Sequence, residues 1–273
     1  MISQNQHDAP PVIVAIGGSD PSGGAGIQAD IKTITAFGGY AAAVITALTV
    51  QNTVGISDVL AIDPHFVGQQ LEAVLTDLPV AAIKIGMLHS AEVVREVAAI
   101  LESLAFGIPV ILDPVVLSSS GTPLLDNTGI RSLCQRLLPL SALITPNLPE
   151  AQLLTGVKID GEDDFGRACD HLLAAGASAV LIKGGHLPGA LVVDYLRMGD
   201  GTEQRYEATK LESRSTHGTG CTLASAIATL IGEGRTLSDA VYQAQRFVHQ
   251  AILDAVPMGR GVGPLNHVCR HHR

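Results

Sequence analysis

Apolar runs of strand length alternate with amphipathic stretches of helix length along this chain, and that alternation restricts the fold more than any other feature. The runs fall at 12–16, 41–48, 82–85, 110–112, 142–144 and 179–182, with helical patterns at 27–37, 64–78, 91–104, 130–138 and 165–175 between them. Because the runs are continuously apolar, they suit strands covered on both sides. The pattern predicts an α/β fold with a mostly parallel central sheet and helices on both faces. The segment 190–210 differs, with strand-like 191–196 and 204–209 flanking Gly199-Asp200-Gly201, which predicts an antiparallel hairpin. Two helices, 219–231 and 238–256, then close the chain. No linker, repeat or low-complexity tract interrupts it, so one domain is expected over 12–266, with polar tails over 1–11 and 267–273.

Composition narrows the function classes. A net charge of −9 with no Lys/Arg block argues against nucleic-acid binding. No apolar run approaches the roughly 20 residues needed to span a bilayer, and residues 1–11 lack the character of a signal sequence, so a cytoplasmic protein without a membrane partner is expected. Cysteines 134, 169, 221 and 269 show no C-x-x-C spacing, which favours reduced thiols. His267, Cys269, His271 and His272 cluster at the C-terminus, but a tail offers little framework for a preorganised metal site.

In open parallel sheets, ligands bind beyond the carboxyl ends of the strands. Residues there are polar and glycine-rich. Gly24, Gly26 and Ala29 fit G-x-G-x-x-A, yet the loop from Gly17 is too long for a dinucleotide turn, and 40–53 lacks the acidic residue that would hold a ribose. Asp30 follows on the first helix, either as a ligand contact or as a solvated carboxylate. Gln51 offers an amide that can read a heterocycle edge, or can equally shape a turn. Met87 could lie on a ring or simply fill the core. Asp113 and the run Asn147-Leu148-Pro149-Glu150 supply sparse carboxylates, which suits Mg²⁺ in phosphoryl transfer, although the second motif also reads as a helix start. Lys183 could reach a nucleotide phosphate or stay solvated.

His217-Gly218-Thr219-Gly220-Cys221 stands immediately before an apolar helical run. Free backbone N–H groups converge there, so an anion can bind, and a helix N-terminus would lower the Cys221 thiol pKa toward that of a useful acid/base. The alternative is a buried cysteine at a glycine-rich helix start.

Taken in order, these motifs make the chain resemble hydroxymethylpyrimidine/phosphomethylpyrimidine kinases of thiamine biosynthesis, within the ribokinase-like superfamily. The resemblance runs from about Val12 to Pro264 and rests on Gly23-Gly24-Ala25-Gly26-Ile27-Gln28-Ala29-Asp30, Ile45-Thr46-Ala47-Leu48, Gln51-Asn52-Thr53, Lys84-Ile85-Gly86-Met87, Thr145-Pro146-Asn147-Leu148-Pro149-Glu150, Lys183-Gly184-Gly185-His186 and the 217–221 pentapeptide. It implies transfer of the ATP γ-phosphoryl to 4-amino-5-hydroxymethyl-2-methylpyrimidine, then a second transfer that makes the diphosphate. By the same resemblance Asp30, Gln51 and Met87 line the pyrimidine pocket. Gly218, Thr219, Gly220 and Cys221 form the catalytic anion hole, with Cys221 where the superfamily usually has Asp. Lys183 and Asn147 serve the nucleotide, Asp113 and Glu150 serve Mg²⁺, and a homodimer is expected. One departure is visible: Ser119 stands where the family often carries Lys, which bears on the second transfer. Pyridoxal kinase is the nearest rival reading, and a catalytically silent pyrimidine sensor is the alternative of another class.

Overall fold

A computed structural model of the chain describes residues 9–118, 121–185 and 187–268. In chain order the elements are β1 (Val12–Ser19), α1 (Gly26–Ala36), β2 (Tyr40–Asn52), β3 (Gly55–Ala61), α2 (Pro64–Asp77), β4 (Val80–Ile85), α3 (Ala91–Leu104), β5 (Val110–Leu112), α4 (Asn127–Ser132), β6 (Leu143–Ile144) and α5 (Leu148–Thr155). They continue with α6 (Phe165–Ala174), β7 (Ala179–Ile182), β8 (Leu191–Met198), β9 (Glu203–Thr209), α7 (Thr219–Gly232) and α8 (Leu237–Leu253). Among the described residues the strands form one sheet in the order β3-β2-β1-β4-β5-β6-β7-β8-β9. Strands β2, β1 and β4 to β7 run parallel, while β3 at one edge and β8 and β9 at the other are antiparallel.

The period of two along each strand divides the core. Val14, Ile16, Ile83, Ile85, Val110, Leu112, Val180 and Ile182 face the layer of α2, α3, α5 and α6, whereas Ile13, Ala15, Ala82, Ile111, Ala179 and Leu181 face α1, α7 and α8. Both faces are therefore covered, as the continuous apolar runs require. The reading also holds for the hairpin at β8 and β9.

Three elements differ from the sequence reading. β3 was not foreseen, because it is a short, largely exposed edge strand without an apolar run; pairing with it carries β2 out to Asn52. The helix expected at 130–138 starts at Asn127, capped by Asp126, and passes into a π turn over Leu133–Leu137. The last helix stops at Leu253, not at 256, and the chain then returns to the sheet's carboxyl end. There Val262 N–H donates to Thr53 O (2.9 Å) and His217 N–H to Gly263 O (3.0 Å). His267, placed in a tail by sequence, is buried and hydrogen-bonded to Thr222 Oγ1 at 2.9 Å, so the packed domain extends past 266. Burial holds its imidazole down at about 4, hence neutral, and it is engaged in the core rather than offered to a metal. Cys269, His271 and His272 lie outside the described residues, as do Ser119 and most of the N-terminal tail.

Candidate active site

The carboxyl ends of the central parallel strands open into one cleft of about 720 Å³. Two helix N-termini meet at its base. Gly218 precedes α7 with φ +88°, and a Cβ there would lie 1.8 Å from Gly24 O, so only glycine lets the 218–221 turn close on the loop before α1. At the start of α1, the Gly26 N–H acts on the Cys221 thiol and pulls its pKa down. The thiol thus faces a donor from one helix while beginning another. Thr219 is different: its hydroxyl donates to Thr216 O at 2.7 Å and shapes the turn.

The expected lowering of the Cys221 pKa is not what this environment produces. Burial pushes the thiol up to about 11, against the pull of the Lys84 ammonium and the Gly26 N–H, and the Asp30 and Asp113 carboxylates push the same way as burial. Desolvation of a thiolate outweighs the partial charge of a helix terminus.

Asp30 also departs from expectation. It borders the cleft but is 0% exposed, and both its oxygens lie 2.9 Å from Lys84 Nζ while Oδ1 also accepts from Ser225 Oγ at 2.8 Å. Both of its oxygens are engaged by a buried lysine, which makes the carboxylate a counter-ion at the edge of the cleft rather than a solvated group. Lys84 is held above its usual range by Asp30, in opposition to burial, and stays charged. Nothing in a strand-end lysine announces a buried carboxylate 54 residues earlier.

Gln51 does border the cleft, from the end of β2. Its amide sits between His217 Nε2 at 3.2 Å and Thr49 Oγ1 at 3.1 Å, and His217 Nε2 lies 2.8 Å from Asp20 Oδ2. Burial alone would raise Asp20, but His217 and the N–H groups of Ser22 and Ala25 hold it down at about 2. Asp20, Thr49 and His217 were missed as functional residues; only the place of His217 within the glycine-rich pentapeptide hinted at one of them. Met87 is 9% exposed and packs in the core while bordering the cleft. A Cβ at Gly18 would come within 3.0 Å of its sulfur.

A charged cluster adjoins the anion hole. Lys183 Nζ lies 2.7 Å from Asp113 Oδ1 and 4.0 Å from Glu150 Oε2, and Thr145 Oγ1 donates to Asp113 Oδ1 at 3.0 Å. The link to the turn is Gly220, where a Cβ would stand 3.2 Å from Lys183 Nζ and 3.3 Å from Asp113 Oδ2. Asn147 and Glu150 realise the helix-start reading as a capping box on α5: Glu150 N–H donates to Asn147 Oδ1, and Asn147 N–H to Glu150 Oε2. That box is the signal that locates α5, which the apolar periodicity did not.

The donor set suits a hard divalent cation that keeps most of its waters. Among the described residues no group of three or more His, Cys, Asp and Glu side chains forms a metal cage. Two buried carboxylates stand together instead, and burial lifts Glu150 to about 7, opposed by Lys183 and reinforced by Asp113. Such crowding of acid is what a dication relieves, and Mg²⁺ bound with phosphates takes one or two carboxylates.

Comparison with known proteins identifies the family. The family model described as phosphomethylpyrimidine kinase matches residues 20–266. A hydroxymethylpyrimidine/phosphomethylpyrimidine kinase of Rhizobium meliloti is 44% identical over 95% of this chain and 97% of its own length. A thiamine biosynthesis bifunctional protein of Geobacter sulfurreducens is 45% identical over 94% of this chain, which spans about half (52%) of that longer relative. Among solved structures, phosphomethylpyrimidine kinase from Clostridium difficile 630 superposes with a TM-score of 0.79 at 39% identity, covering 89% of this chain and 99% of that one. Pyridoxal kinase from Staphylococcus aureus, in complex with AMP-PCP and pyridoxal, gives 0.88 at 30% identity, over 97% and 96%. With the ribokinase-like sheet, the twin helix termini around Cys221 and a family match that spans nearly all of them, the chain belongs to the phosphomethylpyrimidine kinase family.

Proposed function

We propose that this protein transfers the γ-phosphoryl of ATP to the hydroxymethyl group of 4-amino-5-hydroxymethyl-2-methylpyrimidine and then phosphorylates the monophosphate, in thiamine biosynthesis. The observation that carries the proposal is Cys221, set at the meeting of two helix N-termini within a cleft that also holds an amide for a ring edge and a lysine with two carboxylates for phosphates. In this reading Gln51 and Met87 hold the pyrimidine, with Asp30 acting on the site through Lys84 rather than by contact. The Cys221 thiolate, favoured by Lys84 and the Gly26 N–H, takes the hydroxyl proton and becomes the thiol as the substrate oxygen bonds to the γ-phosphorus and the bond to ADP breaks. The N–H groups of 218–221 receive charge that develops on the transferring group. Lys183 and Asn147 serve the nucleotide. Asp113 and Glu150 would hold Mg²⁺, which would supply neutralisation of phosphate charge.

Pyridoxal phosphorylation is the second reading, favoured by the higher TM-score to the S. aureus pyridoxal kinase. The test is to supply ATP, Mg²⁺ and each alcohol in turn. The pyrimidine is expected to have the higher kcat/KM; an equal or higher value for pyridoxal overturns the assignment, and no turnover of either supports a silent sensor. We propose further that the protein works as a homodimer in the cytoplasm. The β2–β3 edge supports the dimer by exposing Leu48, Val50, Val54 and Leu60, and among the described residues no helix is long and apolar enough to cross a membrane.

A further inference from the structure

Asp20 is ionised, so it can only accept hydrogen bonds. Its Oδ1 takes the Ser22 N–H at 2.8 Å, and its Oδ2 takes the Ala25 N–H at 2.9 Å and faces His217 Nε2 at 2.8 Å. His217 must therefore carry a proton on Nε2, whether its ring is neutral or charged. That same nitrogen lies 3.2 Å from the end of the Gln51 amide. An N–H nitrogen has no lone pair in the ring plane, so an amide NH₂ at this position would set donor against donor. A half-turn about the last torsion of Gln51 exchanges its oxygen and nitrogen without changing its shape, and puts the oxygen where it shares the His217 N–H. The opposite end of the amide gives the same answer. Thr49 Oγ1 lies within donating distance of both Ser19 O (2.9 Å) and Gln51 Oε1 (3.1 Å) but has one proton; given to the nearer Ser19 O, it leaves only lone pairs towards Gln51, and that position then wants the amide NH₂.

Taking Gln51 as the ring-edge partner of the substrate, as above, we propose that Asp20 and His217 act as positioning residues that lock the Gln51 amide in one orientation, oxygen towards His217 and nitrogen towards Thr49, and thereby set the choice between amino- and oxo-pyrimidines. A locked amide presents its remaining N–H and its remaining lone pair in a fixed order. The edge of a 4-aminopyrimidine shows a ring acceptor beside an exocyclic donor. The 4-oxo counterpart shows a ring donor beside an exocyclic acceptor, in reverse order. An amide free to rotate can serve either, so its lock supplies the discrimination, and a mismatched ring leaves buried groups unpaired on both partners.

The experiment compares kcat/KM for 4-amino-5-hydroxymethyl-2-methylpyrimidine and its 4-oxo counterpart, by ADP release at saturating ATP. His217→Phe keeps a ring of similar breadth and removes the N–H. It is expected to lower the amino-over-oxo ratio by about 10-fold or more, the size of one lost polar discrimination. Gln51→Leu should raise the pyrimidine KM and erase most of the ratio, and adding His217→Phe to it should change the ratio no further. Asp20→Asn, which can donate to His217 Nε2 and so reverse the tautomer, should also lower the ratio and provides the measurement should His217→Phe fail to fold. A merely structural role would depress turnover of both substrates alike and leave the ratio intact. An unchanged ratio in His217→Phe or in Asp20→Asn overturns the lock, as does an equal drop when His217→Phe is made on Gln51→Leu. If Gln51→Leu leaves the pyrimidine KM unaltered, the pocket reading falls and takes the lock with it. A raised KM in Gln51→Leu with an intact ratio in His217→Phe removes the lock alone.

Discussion

Gly218→Ala tests whether the anion hole depends on the close meeting of two helix starts. The backbone at 218 has φ +88°, where an alanine costs about 1–2 kcal/mol. The new Cβ would also stand 1.8 Å from Gly24 O, and since Cβ contacts under 3.0 Å essentially never occur, the two loops must part by at least about 1.2 Å. Cys221 lies three residues further on the same helix start and moves with it, away from the Gly26 N–H. A misplacement of about 1 Å at a reacting group costs on the order of 10²-fold, so kcat should fall by about that factor. Backbone strain alone should lower Tm by about 2–8 °C, at roughly 2–4 °C per kcal/mol for a chain of this size. ADP release and a calorimetric melt measure both. Gly166→Ala is the control, because nothing lies within 4 Å of its Cβ and it sits within α6, where alanine is the better helix former. Turnover of Gly218→Ala within about threefold of wild type would show that the reaction tolerates the displacement and that the close approach is not part of catalysis.

Cys221→Ala should bind nucleotide much as wild type does yet lose about 10²-fold or more in kcat, the usual contribution of a positioned base; wild-type turnover would place the base elsewhere. Because burial pushes the Cys221 thiol up to about 11, its alkylation by iodoacetamide in the free enzyme should keep accelerating from pH 8 towards pH 11, and a plateau near neutrality would contradict the site's electrostatics. Asp20 is held at about 2, below its ordinary value near 4, so its contribution to stability is present above about pH 4 and is lost as pH falls through about 2. Chemical denaturation should accordingly show wild type more stable than Asp20→Asn at pH 6, with the gap closing towards pH 2; a gap independent of pH would dismiss the linkage. Ser119→Lys should speed phosphorylation of the monophosphate relative to the alcohol, since two anions meet in the second transfer. An unchanged ratio of the two kcat/KM values would remove charge at 119 as its determinant.

Much of the fold was legible in the order of residues because burial on two faces leaves a local mark. The continuous apolar runs at β1, β4, β5 and β7 marked parallel strands, and Gly199-Asp200-Gly201 marked the β8–β9 hairpin. β3 left no such mark, since an exposed edge strand is fixed by its neighbour's hydrogen bonds rather than by its own apolar content. The same holds for the segment after α8, whose bonds to Thr53 and His217 are made across more than 40 residues.

For the site, the glycines and the residue types at strand ends announced that an anion and a phosphoryl group could be handled, because those demands fall on local backbone and on the topology of a parallel sheet. The charge state of each group was a different matter. Sequence placed Cys221 at a helix start and so inferred an acidic thiol, whereas the folded environment desolvates it and sets Asp30 and Asp113 against it. Sequence offered Asp30 to the substrate, whereas folding gave it to Lys84. Sequence likewise supplied the Gln51 amide, but its orientation is decided by Asp20 and His217, which lie 197 residues apart in the chain and 2.8 Å apart in space. Backbone geometry follows from near neighbours along the chain; protonation and hydrogen-bond direction follow from whatever groups share the same few ångströms of low dielectric, and only the tertiary structure chooses those groups.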